Sequence, residues 1–179
     1  MDPDTSMRVP ARDEHVPRST SREEARSREL LLFELGGQRF ALFASSVIAL
    51  ARAVSIQRLP RAPAVVEGII AFRGDVIPVL DVRARFRLPP KPLALSDQLI
   101  VARVHLRRFV LRVDRCLEFV RRPVLPLEQL DNLPRRGIEH VAGVTTVEDG
   151  IVVIQDLESF LTEAESGEID QALAAAAGG

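Results

Sequence analysis

An all-β architecture of two packed small lobes, mainly strand with short helices, is predicted by three features: an internal duplication, runs of alternating apolar residues, and glycine-marked turns. The duplication is the strongest. V-E-G-I-I-A-F-R-G-D-V-I-P-V-L-D-V-R-A-R-F runs from Val66 to Phe86, and V-A-G-V-T-T-V-E-D-G-I-V-V-I-Q-D-L-E-S-F-L runs from Val141 to Leu161. Gly68 stands thirteen residues before Asp81, and Gly143 thirteen before Asp156. An apolar strand precedes each Asp and a short amphipathic turn follows it. Ahead of the first copy lie Leu30 to Leu35 and Arg39 to Phe43, joined by Gly36-Gly37, a pair that accepts the positive φ of a tight hairpin. Ahead of the second lie Gln98 to Val104 and Arg108 to Val113. The order hairpin, linker, strand, strand therefore occurs twice, with linkers of unequal length, which fits two small barrels better than a solenoid.

The elements follow in order. Residues 1–28 are polar, mixed in charge and rich in Arg, Ser and Pro; with no apolar period to offset the entropy of ordering, they are expected to form a mobile tail. Structure is expected from about Leu30. Ser45 or Ser46 is positioned to cap a brief helical turn through Val47, Ile48 and Leu50, and Ala53 to Ile56 reads as extended. Pro60 and Pro63 then send L-P-R-A-P across the surface of the first lobe. Asp81 and Asp156 are each placed to cap the turn that follows, where Val82 and Phe86, and Leu157, Phe160 and Leu161, fall at helical spacing. The proline-rich segment from Leu88 to Leu93 is expected to cross between lobes, near 88–96. Arg121 to Pro134 reads as a second proline-marked loop. After Leu161 the chain turns acidic and then alanine-rich. In this tail, 163–179, Glu168 to Ala177 has helical propensity but too few apolar anchors to read as core.

Composition bounds the function. A chain of 179 residues with 46% hydrophobic side chains buries enough surface for a stable core. Its formal charge of −1 gives no electrostatic footprint for nucleic acid or anionic membrane. The absence of Trp and Tyr removes the usual stacking platforms. A lone cysteine, Cys116, cannot form an internal disulfide and suits a reducing compartment. No apolar run reaches the ~18 residues of a membrane span, and the N-terminus lacks the apolar core of a secretion signal, so a cytoplasmic protein is expected.

Chemistry is sparse. His15, His105 and His140 have no second ligand at helical spacing, Cys116 lacks the flanking signature of a nucleophile, and no phosphate-cradling loop is present. Asp75, Asp81, Asp114 and Asp156 offer carboxylates, but Asp81 and Asp156 are explained by capping. No enzyme, cofactor or metal is expected.

Leu59 to Phe86, L-P-R-A-P-A-V-V-E-G-I-I-A-F-R-G-D-V-I-P-V-L-D-V-R-A-R-F, resembles the central signature of CheW-like domains, a G-x-x-x-x-R-G-x-x-x-P-V-x-D pattern. The flanks agree: L-L-F-E-L-G-G-Q-R-F-A-L before it, then F-V-L-R-V-D and V-A-G-V after it. The resemblance covers about residues 29–162 and implies two packed SH3-like five-stranded β-barrel subdomains. No kinase, dimerisation or receiver segment accompanies it, so the expectation is the stand-alone adaptor.

Such adaptors bind the cytoplasmic tip of chemoreceptors and the regulatory domain of a CheA-type histidine kinase, without catalysis, at membrane-associated receptor arrays. The resemblance puts Arg73, Val47 and Cys116 at the receptor groove. It puts Ala49, Leu50 and Glu67 towards the kinase, with Ala49 standing where relatives often carry an acid. Gly68, Gly74, Pro78, Asp81, Asp114, Gly143 and Asp156 are assigned to the fold. Val110, Arg112 and Gln155 depart from the pattern in the second barrel. The alternatives are a CheW-like adaptor in a motility, developmental or cyclic-dinucleotide pathway, and a small β-barrel nucleic-acid binder, which the missing aromatic face disfavours.

Overall fold

In the computed structural model, residues 27–126 and 140–177 are described. Among these residues ten strands form two five-stranded sheets. The strands are β1 (Ser27–Leu35), β2 (Gln38–Phe43), β3 (Val47–Arg52), β4 (Val66–Phe72), β5 (Asp75–Leu80), β6 (Gln98–Val104), β7 (Arg107–Val113), β8 (Arg115–Pro123), β9 (Val141–Val147) and β10 (Gly150–Gln155). A short helix, α1 (Val82–Arg85), follows β5, and α2 (Glu163–Ala177) closes the chain. One sheet runs β8-β1-β2-β10-β9 and the other β3-β6-β7-β5-β4; we call them the terminal and central lobes.

The two copies of the repeat exchange strands. β1 and β2 of the first copy lie in the terminal lobe while its β3, β4 and β5 lie in the central one; the second copy gives β6 and β7 to the central lobe and β8, β9 and β10 to the terminal one. This corrects the expected crossing at 88–96, because that segment returns from α1 to β6 within the central lobe. The chain changes lobes at Ala44–Ser46, a 3-10 turn, and at Asp114. The proline run holds the chain extended, but the strand after it finds its partners beside β3 and β7.

Strand-by-strand correspondence is close. β5 pairs parallel to β7 through Val79 and Leu80, and β10 pairs parallel to β2 through Val153 and Ile154. The register slips between Val66 and Gly68 in one hairpin and between Ile154 and Gln155 in the other, so Glu67 and Ala142 are the bulged residues. An isolated bridge then brings each sheet round towards closure: Gln57 to Ile69 in the central lobe, Leu125 to Val144 in the terminal lobe. Gly68 and Gly143 lie beside these bridges. A Cβ at Gly143 would stand 2.7 Å from the Leu125 carbonyl oxygen, and one at Gly68 would meet the Gln57 carbonyl oxygen closer still. Pro78 is tolerated inside β5 because the pairing with β7 begins only at Val79.

Apolar runs such as L-L-L-F arise because most inner strands are buried on both faces. Leu30 and Leu32 fill the terminal lobe; Leu31, Phe33 and Leu35 point to the cluster shared by both lobes, with Phe40, Ile100, Phe109 and Leu111. Leu99, Val101 and Val110 fill the central lobe. Asp81 caps α1 by accepting from the Ala84 amide at 3.0 Å, and Asp156 accepts from the Glu158 amide at 3.0 Å.

Three local expectations change. Val47, Ile48 and Leu50 form a strand rather than a helical turn, as the β-branched pair favours. Arg121 to Pro123 extends β8 instead of opening a loop, and 127–134 of that expected loop, like residues 1–26 of the expected tail, lies outside the described residues. The closing helix starts at Glu163 and is anchored: Ile169 and Ala172 are buried, and Ile169 joins the inter-lobe cluster. Its start carries a capping box, Thr162 with Glu165, in which Thr162 Oγ1 accepts from the Glu165 amide at 3.2 Å and Glu165 Oε2 accepts from the Thr162 amide at 2.9 Å.

Candidate functional site

The strand exchange gives Val47 and Cys116 equivalent places. Each stands at or next to the start of a strand that has just changed lobes, paired with Ala102 on β6 and with Phe33 on β1, and each packs half-buried against the inter-lobe cluster. The Cys116 amide donates to Gln98 Oε1, joining the start of β8 to the start of β6. Burial pushes the Cys116 thiol up to about 11, so it stays protonated at neutral pH.

Arg73 lies elsewhere. With Gly74 it forms the two-residue turn between β4 and β5, at φ of 52° and 88°, the paired left-handed geometry of a type I′ hairpin. Its guanidinium carbon lies 5.0 Å from the centre of the Phe72 ring. Phe72 packs on the central-lobe core. Arg73 is thus tied through Phe72 to the central-lobe core, while Val47 and Cys116 pack on the inter-lobe cluster, so the structure does not bring the three side chains together.

Of the three residues expected to face the kinase, Ala49 is half-buried on the central-lobe core and Leu50 is exposed. Glu67 is not a free surface charge. Its Oε2 accepts from Arg112 Nε at 2.9 Å, while Arg112 NH1 donates to Asp97 Oδ2 at 2.9 Å and NH2 to the Lys91 carbonyl at 3.0 Å. Arg112 departs from the apolar pattern of β7 because all three arms of its guanidinium find partners. Lys91 Nζ bridges Asp97 Oδ1 at 2.8 Å and Asp114 Oδ1 at 2.6 Å, and Arg83 NH1 donates to Asp114 Oδ1 at 3.1 Å. The signal missed in the sequence was this ionic chain, whose members are far apart along the polypeptide.

Among the described residues no group of three or more His, Cys, Asp or Glu side chains is placed to hold a metal ion. His140 Nδ1 lies 3.0 Å from Ser159 Oγ, and its ring packs edge-on to Phe160. Among those residues no helix is long and apolar enough to cross a membrane. The arrangement offers paired lobes, two crossings and exposed turns, which suit binding.

The family model for the CheW-like domain matches residues 29–165. The chain belongs to the CheW-like family. Among relatives, the probable chemotaxis protein CheW of Rhizobium etli is 26% identical over 142 residues, covering 78% of this chain and 90% of that protein. The chemotaxis protein CheW of Rhizobium meliloti is 28% identical over 141 residues, covering 77% and 90%. The solved structure of the scaffolding protein TtCheW from Thermoanaerobacter tengcongensis matches with a TM-score of 0.64 at 24% identity, over 73% of this chain and 89% of that one. The two five-stranded sheets are the SH3-like subdomains of a CheW-like fold, and the chain is a CheW-like chemotaxis scaffold.

Proposed function

We propose that this CheW-like protein is a non-catalytic adaptor that holds a chemoreceptor tip and the regulatory domain of a CheA-type histidine kinase at the same time, in the cytoplasm beside a membrane-associated receptor array. The observation that carries this reading is the family match running unbroken through both lobes. Two lobes present separate faces, and a receptor helix recognised by its apolar stripe needs only a complementary groove.

Arg73, with Val47 and Cys116, is the receptor-facing set in this reading. Support comes from the backbone at Arg73. The first position of a type I′ turn suits Gly or Asn, and a long side chain held at φ 52° carries a conformational penalty that the turn itself does not require. Exposed Arg61 and Arg87 share a positive φ, so what favours Arg73 is this backbone together with its place over Phe72 at the exposed tip of a hairpin. Exposed Leu50, near Ala49, is the kinase-facing residue, and Glu67 contributes through its hold on Arg112.

The test is binding of the full chain to a receptor-tip helical hairpin and, separately, to a kinase regulatory domain. Arg73→Glu is expected to weaken the receptor tip at least about tenfold, as removal of a central anchor does, and to leave kinase binding in place. Arg73→Gly, which suits the turn, serves as the folded control. Retained receptor affinity in Arg73→Glu removes the groove assignment; absence of binding to both partners overturns the adaptor reading.

A further inference from the structure

Asp114 is the single residue between β7 of the central lobe and β8 of the terminal lobe, so its backbone is one of the two crossings. Its amide donates to the Glu34 carbonyl at 3.0 Å, on β1. Its carboxylate gathers donors from both lobes. From the terminal lobe, the Gly36 amide in the β1–β2 turn donates at 2.6 Å; from the central lobe, Lys91 Nζ donates at 2.6 Å and Arg83 NH1 at 3.1 Å. Lys91 and Arg83 are themselves fixed. Lys91 reaches Asp97, and Arg83 Nε donates to the Pro89 carbonyl at 2.9 Å.

The twin crossing is built differently. Ala44–Ser46 carries no charged residue, and no side chain caps its 3-10 turn. The turn equivalent to Gly36-Gly37, between β6 and β7, is tied instead to α2, where Arg107 meets Asp170 at 2.7 Å through well-exposed side chains. Exposed pairs of that kind contribute little, whereas the Asp114 cluster is largely shielded, with Arg83 at 11% and Asp114 at 26% exposure. One of the two crossings is therefore braced by charge and the other is not.

We propose that Asp114 is an inter-lobe latch: its carboxylate, by joining the β1–β2 turn to Arg83 and Lys91, fixes the angle between the two lobes at this crossing. The receptor-facing set, with Cys116 on the terminal lobe and Val47 and Arg73 on the central one, is then held in one arrangement by it. That consequence rests on the adaptor reading, but the latch itself is measured without any partner.

The experiment uses the full chain in a Cys116→Ser background with spin labels at Arg103→Cys on β6 and Thr146→Cys on β9, one exposed site in each lobe. Inter-lobe distance distributions are compared for Asp114 and Asp114→Asn, alongside amide exchange at Gly36. Asp114→Asn is expected to broaden or shift the distribution and to speed Gly36 exchange about tenfold or more, as loss of a charge-assisted hydrogen bond does. Lys91→Met and Arg83→Met, which remove the central-lobe donors and keep Asp114, are expected to broaden it in the same direction. They also keep the test open if Asp114→Asn folds poorly. An unchanged distribution in these variants overturns the latch, even if Gly36 exchange rises, because Asp114 would then anchor only a turn.

Discussion

Arg112 and Asp97 form a salt bridge of 2.9 Å in which the side chains are 9% and 1% exposed. A charge so shielded is tolerable only while its partner is present, since removing one member strands the other away from water. Asp97 also accepts from Lys91 and from the Ala94 amide, so its removal takes a partner from two cations at once. Asp97→Ala is expected to lower the unfolding free energy by roughly 3–5 kcal/mol, measured by urea denaturation. The double change Asp97→Leu with Arg112→Met is expected to lose much less than the sum of the single changes. A loss under about 1 kcal/mol for Asp97→Ala would mean the pair behaves as an exposed one.

The glycines beside the two closing bridges respond alike for one steric reason. At Gly68 and Gly143 an added methyl meets a backbone carbonyl oxygen, Gln57 or Leu125, which cannot swing aside as a side chain can. Gly68→Ala and Gly143→Ala are each expected to destabilise by roughly 1–3 kcal/mol, the usual range for overpacking. Gly74 has open space around it and a φ of 88°, so Gly74→Ala carries only backbone strain, about 1–2 kcal/mol. Thermal melts and amide exchange at Ile69 and Val144 separate the cases. The bridge amides lose protection in the first two variants and keep it in the third.

The carboxylates of the ionic chain give stability a pH dependence of known sign. Burial pulls the Asp114 carboxyl upward, but bonds from Lys91, the Gly36 amide and Arg83 outweigh it and hold the group below its ordinary value. Asp97 is likewise lowered, burial being outweighed by Lys91, the Ala94 amide and Arg112. A folded value below the unfolded one means the stabilisation is fully present above the unfolded carboxylate range and is lost as pH falls through the folded value. Urea midpoints measured downward from pH 7 are expected to hold until about pH 4 and then fall. Asp114→Asn is expected to start lower and fall less steeply. A variant curve parallel to the parent's would remove Asp114 from the acid transition.

Much of this was legible in the sequence because the duplication is written in residues with local duties. The spacing from Gly68 to Asp81, and from Gly143 to Asp156, encodes a pair of strands and a cap, and both appear where the spacing puts them, whereas the bulges at Glu67 and Ala142 had no mark in the sequence. Which lobe each strand joins was not legible. A strand buried on both faces shows the same apolar run whichever sheet receives it, so the exchange at Ala44–Ser46 and Asp114 leaves no periodic mark. The partners of Arg112 were hidden because Glu67 and Asp97 approach it only after β4 and β6 have packed. The anchoring of α2 was underestimated because Ile169 and Ala172 are modest in size, although the T-x-x-E capping box at Thr162 stood in view.

Cys116 tests the inter-lobe surface most directly. Its thiol is raised by burial from 9.0 to about 11. Reaction with iodoacetamide needs the thiolate, and a rise of two units makes that form about a hundredfold scarcer near pH 8. The folded protein is therefore expected to alkylate about a hundredfold more slowly than the same chain in urea, by mass spectrometry of quenched samples, with the two rates converging as pH approaches 11. Equal rates at pH 8 would show that the start of β8 is open to solvent and not packed on the cluster around Phe33. If a receptor tip covers Val47 and Cys116 as proposed, adding it slows the folded rate further, while Arg73→Glu, which leaves the thiol's packing intact, restores the rate of the free protein.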